Sequence, residues 1–225
     1  MRFQQIIKRA IDIVASSLIL VALSPVLVLV ALSILITEGW PIFYNSRRFI
    51  APDKSIIVYK FRTMVRDAAS ARYRLDERFM RDGYLDIPLS CEVFSPIGRL
   101  IERSQLVEVP QLLNVISGQM SLIGNRPLPY VNLQLLKAHE RWAERFESPA
   151  GISGIAQVVG KLNLEPAQRL ALEVAYSETY RNGNILKCDL IIARYTLRII
   201  AVSKAMPLAK AYQLFTSADV FPGTL

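Results

Sequence analysis

The chain has 225 residues, of which 52% are hydrophobic and 20% charged; that is enough for one domain with a sizeable core and argues against a polytopic membrane protein. Its net charge of +8 asks for an anionic partner, a membrane surface or a phosphorylated substrate, while the absence of any basic run or nucleic-acid module argues against DNA or RNA. One histidine, His139, argues against a histidine metal site or a Ser-His-Asp triad, and Cys91 and Cys188, far apart and outside any CxxC spacing, read as buried reduced thiols.

Residues 11–39, IDIVASSLILVALSPVLVLVALSILITEG, carry no charge between Asp12 and Glu38, about 25 residues. That length suffices to cross a ~30 Å hydrocarbon core as a helix. A cleaved signal peptide would also begin with cations such as Arg2, Lys8 and Arg9, but the apolar run is too long and no small-x-small site follows it. Ser24-Pro25 divides the run into two arms of about 12 residues, ~18 Å each, too short to span. Cations flank both ends: Arg2, Lys8 and Arg9 before, Arg47, Arg48, Lys54, Lys60 and Arg62 after. A helix-break-helix entering and leaving on one face puts both flanks on the cytoplasmic side. The Ser24 hydroxyl can return a hydrogen bond to a carbonyl that Pro25 leaves unpaired. Arg9 and Asp12, at i and i+3, are placed to pair at the headgroup boundary.

Next, two β-rich runs around APDK predict a hairpin at about 42–62. Residues 65–80 read as a polar helix stopped near Gly83. A helical run through Ile97, Leu100 and Ile101 follows, and Pro110 opens another through Leu112, Leu113, Val115 and Ile116 to Gly118. SLIGNRPLP reads as a loop, 131–146 as an amphipathic helix, SPAGISGIAQVVGK as Gly-rich and non-helical, and Glu165–Tyr180 as a helix. ILKCDLIIARYTLRIIAVSKAM is a basic amphipathic helix that either packs on the core or lies in the membrane interface.

A phosphate-handling site needs fixed cations, backbone N–H groups and a carboxylate. Lys60 and Arg62 in YKFRTM, Arg126 in the rigid GNRPLP loop, and Glu108 beside Pro110 supply candidates, and GISGIAQVVGK could cradle a ligand with its backbone. Taken in order, KRAIDIVASS…LSP, IFYNSRR, YKFRTM, LVEVPQLLNVISGQMSLIGNRPLP and GISGIAQVVGK resemble the bacterial sugar transferases known as monotopic phosphoglycosyl transferases, over about Lys8 to Ile200.

The resemblance implies an α/β, mostly helical fold. A re-entrant membrane helix (1–39, broken at Ser24-Pro25) would precede a cytosolic transferase domain (40–205) with a β-hairpin and interfacial amphipathic helices, then a C-terminal tail (206–225). It places the protein on the cytoplasmic face of a bacterial inner membrane, in contact with anionic lipids. It implies transfer of a phospho-sugar from a UDP-sugar to a polyprenyl (undecaprenyl) phosphate with release of UMP and help from Mg²⁺, at the start of exopolysaccharide or glycoconjugate synthesis. Self-association and hand-over to downstream glycosyltransferases stay open.

In the family the Asp of an Asp-Glu pair attacks the β-phosphorus, and the lipid phosphate then attacks the phosphosugar-enzyme intermediate; the position of that Asp is Val107 here. By that resemblance Lys60, Glu108 and Arg126 are catalytic, Glu108 also a metal ligand, and Arg62, Arg145 and Gln157 substrate-binding. The chain departs from the pattern where Leu-Asp-Glu-Leu-Pro-Gln reads Leu106-Val107-Glu108-Val109-Pro110-Gln111, and where Ile50 and Asp53 stand in place of hairpin glycines. Valine neither attacks phosphorus nor binds metal. Either Glu108 or another carboxylate such as Glu102 serves instead, or the chain is an inactive, membrane-bound protein that binds nucleotide sugar or a partner.

Overall fold

One helix, α1 (Phe3–Glu38, 36 residues), runs through the entire apolar opening, Pro25 included. The computed structural model to which it belongs describes residues 3–81, 84–160 and 164–215. The two expected arms are therefore joined as one hydrogen-bonded helix. Pro25 has no N–H for the Val21 carbonyl, and the Ser24 hydroxyl donates to that same oxygen at 2.8 Å, as expected from sequence.

One face of α1 meets the folded domain: Lys8, Asp12, Ser16 and Ile34 are buried, and Leu27, Val30 and Ala31 partly so. Elsewhere Ile11, Val14, Leu18, Val21, Val28, Leu29 and Ile36 are each more than half exposed, a long apolar surface that the described residues do not cover. Both ends are fastened to the domain. Near the N-terminus, Lys8 donates to Asp189 (2.6 Å) and to the Ile123 carbonyl (2.8 Å), and Asp12 accepts from Ser121 Oγ and Leu122 N. Arg9 donates to the Val115 and Ile116 carbonyls. Arg9 and Asp12 are thus drawn to separate partners on the domain, and the expected pairing between them gives way. At the other end Gly39, at φ +68°, closes the helix, and Arg62 Nη2 donates to the Glu38 and Gly39 carbonyls (2.9 and 2.6 Å).

The hairpin forms as expected, with β1 (Phe43–Phe49) antiparallel to β2 (Ser55–Phe61). Residues 65–80 do not make one helix. A 3-10 turn (Ala71–Tyr73) and short α2 (Leu75–Phe79) flank Arg74 in the left-handed region, and β3 (Met80–Arg81) pairs with β4 (Tyr84–Leu85). Met64, Val65, Ala68, Tyr73, Leu75 and Phe79 pack against buried Cys91, Val93 and Phe94, and the left-handed turn at Arg74 interrupts the helix between Tyr73 and Leu75. The expected stop at Gly83 lies outside the described residues.

Helix α3 (Pro96–Arg103) starts where Ser95 Oγ accepts from the Gly98 N–H with Pro96 in the first turn. A 3-10 segment, Leu106–Gln111, contains Pro110 and leads into α4 (Leu112–Ile116), so the turn begins before the proline rather than at it. Within the expected loop, β5 (Ser121–Ile123) pairs in parallel with β6 (Gly151–Ser153), and α6 (Ile155–Val159) follows inside the segment read as non-helical. The helix expected at 131–146 is split into α5 (Tyr130–Leu136) and a 3-10 turn (Trp142–Phe146), with Arg141 at φ +60° between them. A capping box of Glu165 and Gln168 starts α7 (Pro166–Asn182).

Helix α8 (Ile185–Val202) packs on the core through Ile185, Cys188, Ile192 and Tyr195, while Leu190, Leu197, Ile200 and Val202 stay exposed on a helix that also carries Lys187, Arg194 and Arg198. The main core joins α6, α7, α8 and α9 (Leu208–Leu214). Met206, Ala211 and Phe215 are buried in it, so the folded domain continues into the segment expected as a tail. Cys91 and Cys188 are buried and form no disulfide, as expected, and His139 is half-buried.

Arg62→Met removes the cation that caps α1. It is expected to cost about 1.5–3 kcal/mol, the scale of a hydrogen bond to a charged group, read as a lowered unfolding midpoint in detergent. A wild-type midpoint with a raised donor KM would return Arg62 to the substrate.

Candidate active site

Three consecutive residues at the end of β2 have three different jobs. Lys60 Nζ donates to Glu108 Oε1 at 2.7 Å. Phe61 packs with Val107, Ile101 and Ile34. Arg62 reaches the end of α1. Strand alternation turns Lys60 and Phe61 to opposite faces, and three residues per turn separate Val107 and Glu108 by roughly 120° on the 3-10 segment. Glu108 therefore meets the cation while Val107 meets the apolar foot of α1.

Arg126 completes the cluster. Its Nη1 donates to Glu108 Oε2 (3.2 Å) and its Nη2 to Oε1. The three residues expected to be catalytic thus come together, each partly exposed. Burial pushes the Glu108 carboxyl up, but Arg126 and Lys60 outweigh it and hold the group well below the usual carboxylate range. Burial lowers Lys60, with Arg126 adding to the effect and Glu108 opposing it; Glu108 raises Arg126.

The other expected site residues stand behind or beside this cluster. Arg145, 1% exposed, donates to Glu173 Oε2 (2.7 Å) and to the Arg126 carbonyl (2.9 Å), so it fixes the Arg126 backbone from beneath. Gln157 is half-buried and shares the Ile152 carbonyl with Arg126, both at 3.5 Å. Arg62 faces α1 and does not join the cluster. Glu102 accepts from Thr63 Oγ1 at 2.8 Å and pairs with neither Lys60 nor Arg126.

The Arg126 loop owes its position to Asn125 and to the glycines expected to cradle a ligand. Asn125 is buried, with Nδ2 2.8 Å from the carbonyl oxygens of Arg145 and Glu173. The glycines of GISG serve backbone approach. A Cβ at Gly151 would lie 2.1 Å from Gly124 N, and one at Gly154 2.0 Å from Gly124 O. They press against the Arg126 loop and do not form an open cradle.

Among the described residues no group of three His, Cys, Asp or Glu side chains could hold a metal ion. Glu108 is the carboxylate at the cluster, and both its oxygens accept from cations. A divalent ion here fits only as one carried by substrate phosphates, with Glu108 as its protein ligand.

Because its folded pKa is depressed, Glu108 contributes stability that is present above the unfolded carboxylate's titration near pH ~4.3 and lost as pH falls through the lower folded value. Glu108→Gln leaves Lys60 desolvated beside Arg126 without its counter-charge, so its ammonium is expected to lose its proton more readily. An amine-reactive ester should label Lys60 severalfold faster at pH 8 in that variant, read by peptide mass spectrometry; equal labelling would contradict the coupling.

The family model for bacterial sugar transferases matches residues 3–203. The exopolysaccharide production protein ExoY of Sinorhizobium fredii is 28% identical, over 88% of this chain and 86% of that one. An uncharacterized sugar transferase of Bacillus subtilis, EpsL, is 31% identical over 89% and 90%. The UDP-glucose:undecaprenyl-phosphate glucose-1-phosphate transferase of Escherichia coli is 32% identical over 69% of this chain, which spans 32% of that longer protein. The chain belongs to the bacterial sugar transferase family.

Proposed function

We propose that the chain transfers a phospho-sugar from a UDP-sugar to a polyprenyl phosphate such as undecaprenyl phosphate, releasing UMP, as a first membrane step in building an exopolysaccharide or glycoconjugate. The observation that carries this reading is the adjacency of Glu108, held between Lys60 and Arg126, to Val107, packed on the foot of an apolar helix. A water-soluble diphosphate and a lipid-borne phosphate could meet at such a place. Donor and acceptor are those in the name of the E. coli relative.

The chemistry follows from the cluster. An incoming diphosphate offers Lys60 and Arg126 new acceptors, which frees the oxygens of Glu108. A Glu108 oxygen then attacks the β-phosphorus; the P–O bond to the α-phosphate breaks and its electrons leave with UMP. An oxygen of the polyprenyl phosphate attacks the same phosphorus and displaces Glu108, giving the lipid-linked diphosphosugar. Splitting one displacement into two in this way is ordinary nucleophilic catalysis. Mg²⁺, if it arrives with the donor, would supply further neutralisation of phosphate charge. Arg145 and Gln157 act by holding Arg126 and the Ile152 carbonyl in place.

The anchor has support of its own. The exposed apolar face of α1 suits lipid, and the fastening of both its ends to one domain supports an anchor that enters and leaves on one face rather than one that spans. Cationic flanks favour the cytoplasmic side of a bacterial inner membrane, and the exposed leucines of α8 with Lys187, Arg194 and Arg198 suit an anionic leaflet. The second reading, an inactive membrane-bound protein that binds nucleotide sugar or a partner, is favoured by one observation: Val107 is buried among Ile34, Phe61 and Ile101.

With a panel of UDP-sugars, polyprenyl phosphate and Mg²⁺, wild type is expected to release UMP and Glu108→Gln to lose at least about a hundredfold, the scale for a lost nucleophile or general base. Without acceptor, intact-protein mass should rise by one phosphosugar, the adduct mapping to Glu108. Val107→Asp places a carboxylate in an apolar cluster, so it should lower stability and leave UMP release no higher. Release by that variant alone would sink the active-enzyme reading. Single-cysteine variants on the two flanks of α1 should be labelled from the same side of sealed vesicles, and opposite-side labelling would reject the re-entrant anchor.

A further inference from the structure

The hairpin carries a third cation that the cluster above does not use. Arg48 is half-buried, and among the described residues its guanidinium neither donates a hydrogen bond nor forms an ion pair. The strand register sets Arg48 opposite Ile56 and Tyr44 opposite Lys60. Side chains of Tyr44, Ser46, Arg48, Ile56, Val58 and Lys60 therefore share one face, the one that delivers Lys60 to Glu108. Phe49, the next residue, exchanges two backbone hydrogen bonds with Leu128 (2.7 and 3.0 Å), which ties this end of the strand to the loop bearing Arg126.

The charge balance is uneven. Lys60 and Arg126 are both matched to Glu108, but Arg48 has no carboxylate of its own. Burial and then Arg126 lower its proton affinity, with only weaker support from Tyr44 and Glu108. A guanidinium held out of water beside a second one is relieved by an anion, and its planar fork suits two phosphate oxygens at once.

Position along the hairpin distinguishes the two substrates. Lys60 lies next to Phe61 and Arg62, which touch the end of α1. Arg48 is four residues along β1 from Tyr44, about 13 Å further from that end. We propose that Arg48 binds the diphosphate of a nucleoside-diphosphate donor, at the end of the site remote from α1, and takes no part in holding the lipid phosphate. This rests on the reading of the site as a nucleotide-sugar transferase, and it assigns the donor and acceptor ends of that site.

The test uses the full chain in lipid nanodiscs, with UDP as the binding probe in calorimetry and steady-state kinetics run alongside. Arg48→Gln is expected to weaken UDP binding by about tenfold or more. It should raise the KM of the UDP-sugar and leave the KM of polyprenyl phosphate and the unfolding midpoint unchanged. Arg48→Lys keeps the charge without the fork and should fall between the two; it serves in place of Arg48→Gln if that variant does not fold. Unchanged UDP affinity in the variants, or a raised KM for polyprenyl phosphate, overturns the assignment. Turnover by wild type with UDP affinity indifferent to Arg48 leaves the transferase standing and removes Arg48. UDP binding that depends on Arg48 in a protein without turnover supports the diphosphate site and removes the transferase reading.

Discussion

The pairing of β2 with the 3-10 segment Leu106–Gln111 is the contact on which the rest of the site depends. Two adjacent residues on each side meet two on the other, Lys60 with Glu108 and Phe61 with Val107. One pair is charged and partly wet; the other is apolar and dry. Neither can slip without the other, because a shift of one residue would set Phe61 against the carboxylate and Lys60 against the apolar cluster. This register places the Lys60–Glu108 ion pair one residue away from the packing surface of α1. The length of Arg62 then reaches one step further and closes the end of that helix.

Arg126 arrives from the far side of the domain, and its position depends on buried polar contacts rather than on hydrophobic packing. Its carbonyl is held by Arg145, which is neutralised in the core by Glu173, and Asn125 binds the carbonyls of Arg145 and Glu173. The close approach of Gly151 and Gly154 to Gly124 lets the two short parallel strands bring this loop under the hairpin. Buried ionic groups of this kind hold a side chain in one geometry more than they add stability. On the proposed function, the Arg126 guanidinium would meet the donor diphosphate with little ordering left to be done on binding.

Local features of the sequence were legible. The hairpin followed from two β-rich runs around a turn, α7 from its polar start at Glu165, and the meeting of Lys60, Glu108 and Arg126 from ordered motifs. What stayed hidden depends on distant contacts. Strands of three residues in parallel, β5 and β6, leave no periodic trace. The break at Arg141 is a local φ reversal inside a pattern that otherwise reads as helix. Arg145 and Arg62 read as substrate ligands from their motifs, yet Arg145 turns to Glu173 and the Arg126 carbonyl, and Arg62 to the carbonyls that end α1. Arg48 had a signal that alternation could have supplied, since it lies on the Lys60 face of the hairpin.

The same register bears on the departure at position 107. In this chain the side chain before Glu108 is directed at Ile34 and Phe61, so the site that faces the cations has one carboxylate. A lone carboxylate between two cations is a weaker nucleophile than a free one, because its charge is already spread over two hydrogen-bonding partners. A diphosphate that draws those cations onto itself removes that restraint only when it is bound. Reactivity at Glu108 would then be coupled to occupancy of the donor site, and water reaching the empty site would meet a carboxylate tied down by Lys60 and Arg126. In such an arrangement valine at 107 costs a second carboxylate but keeps the foot of α1 dry, which preserves the packing that sets Glu108 against Lys60.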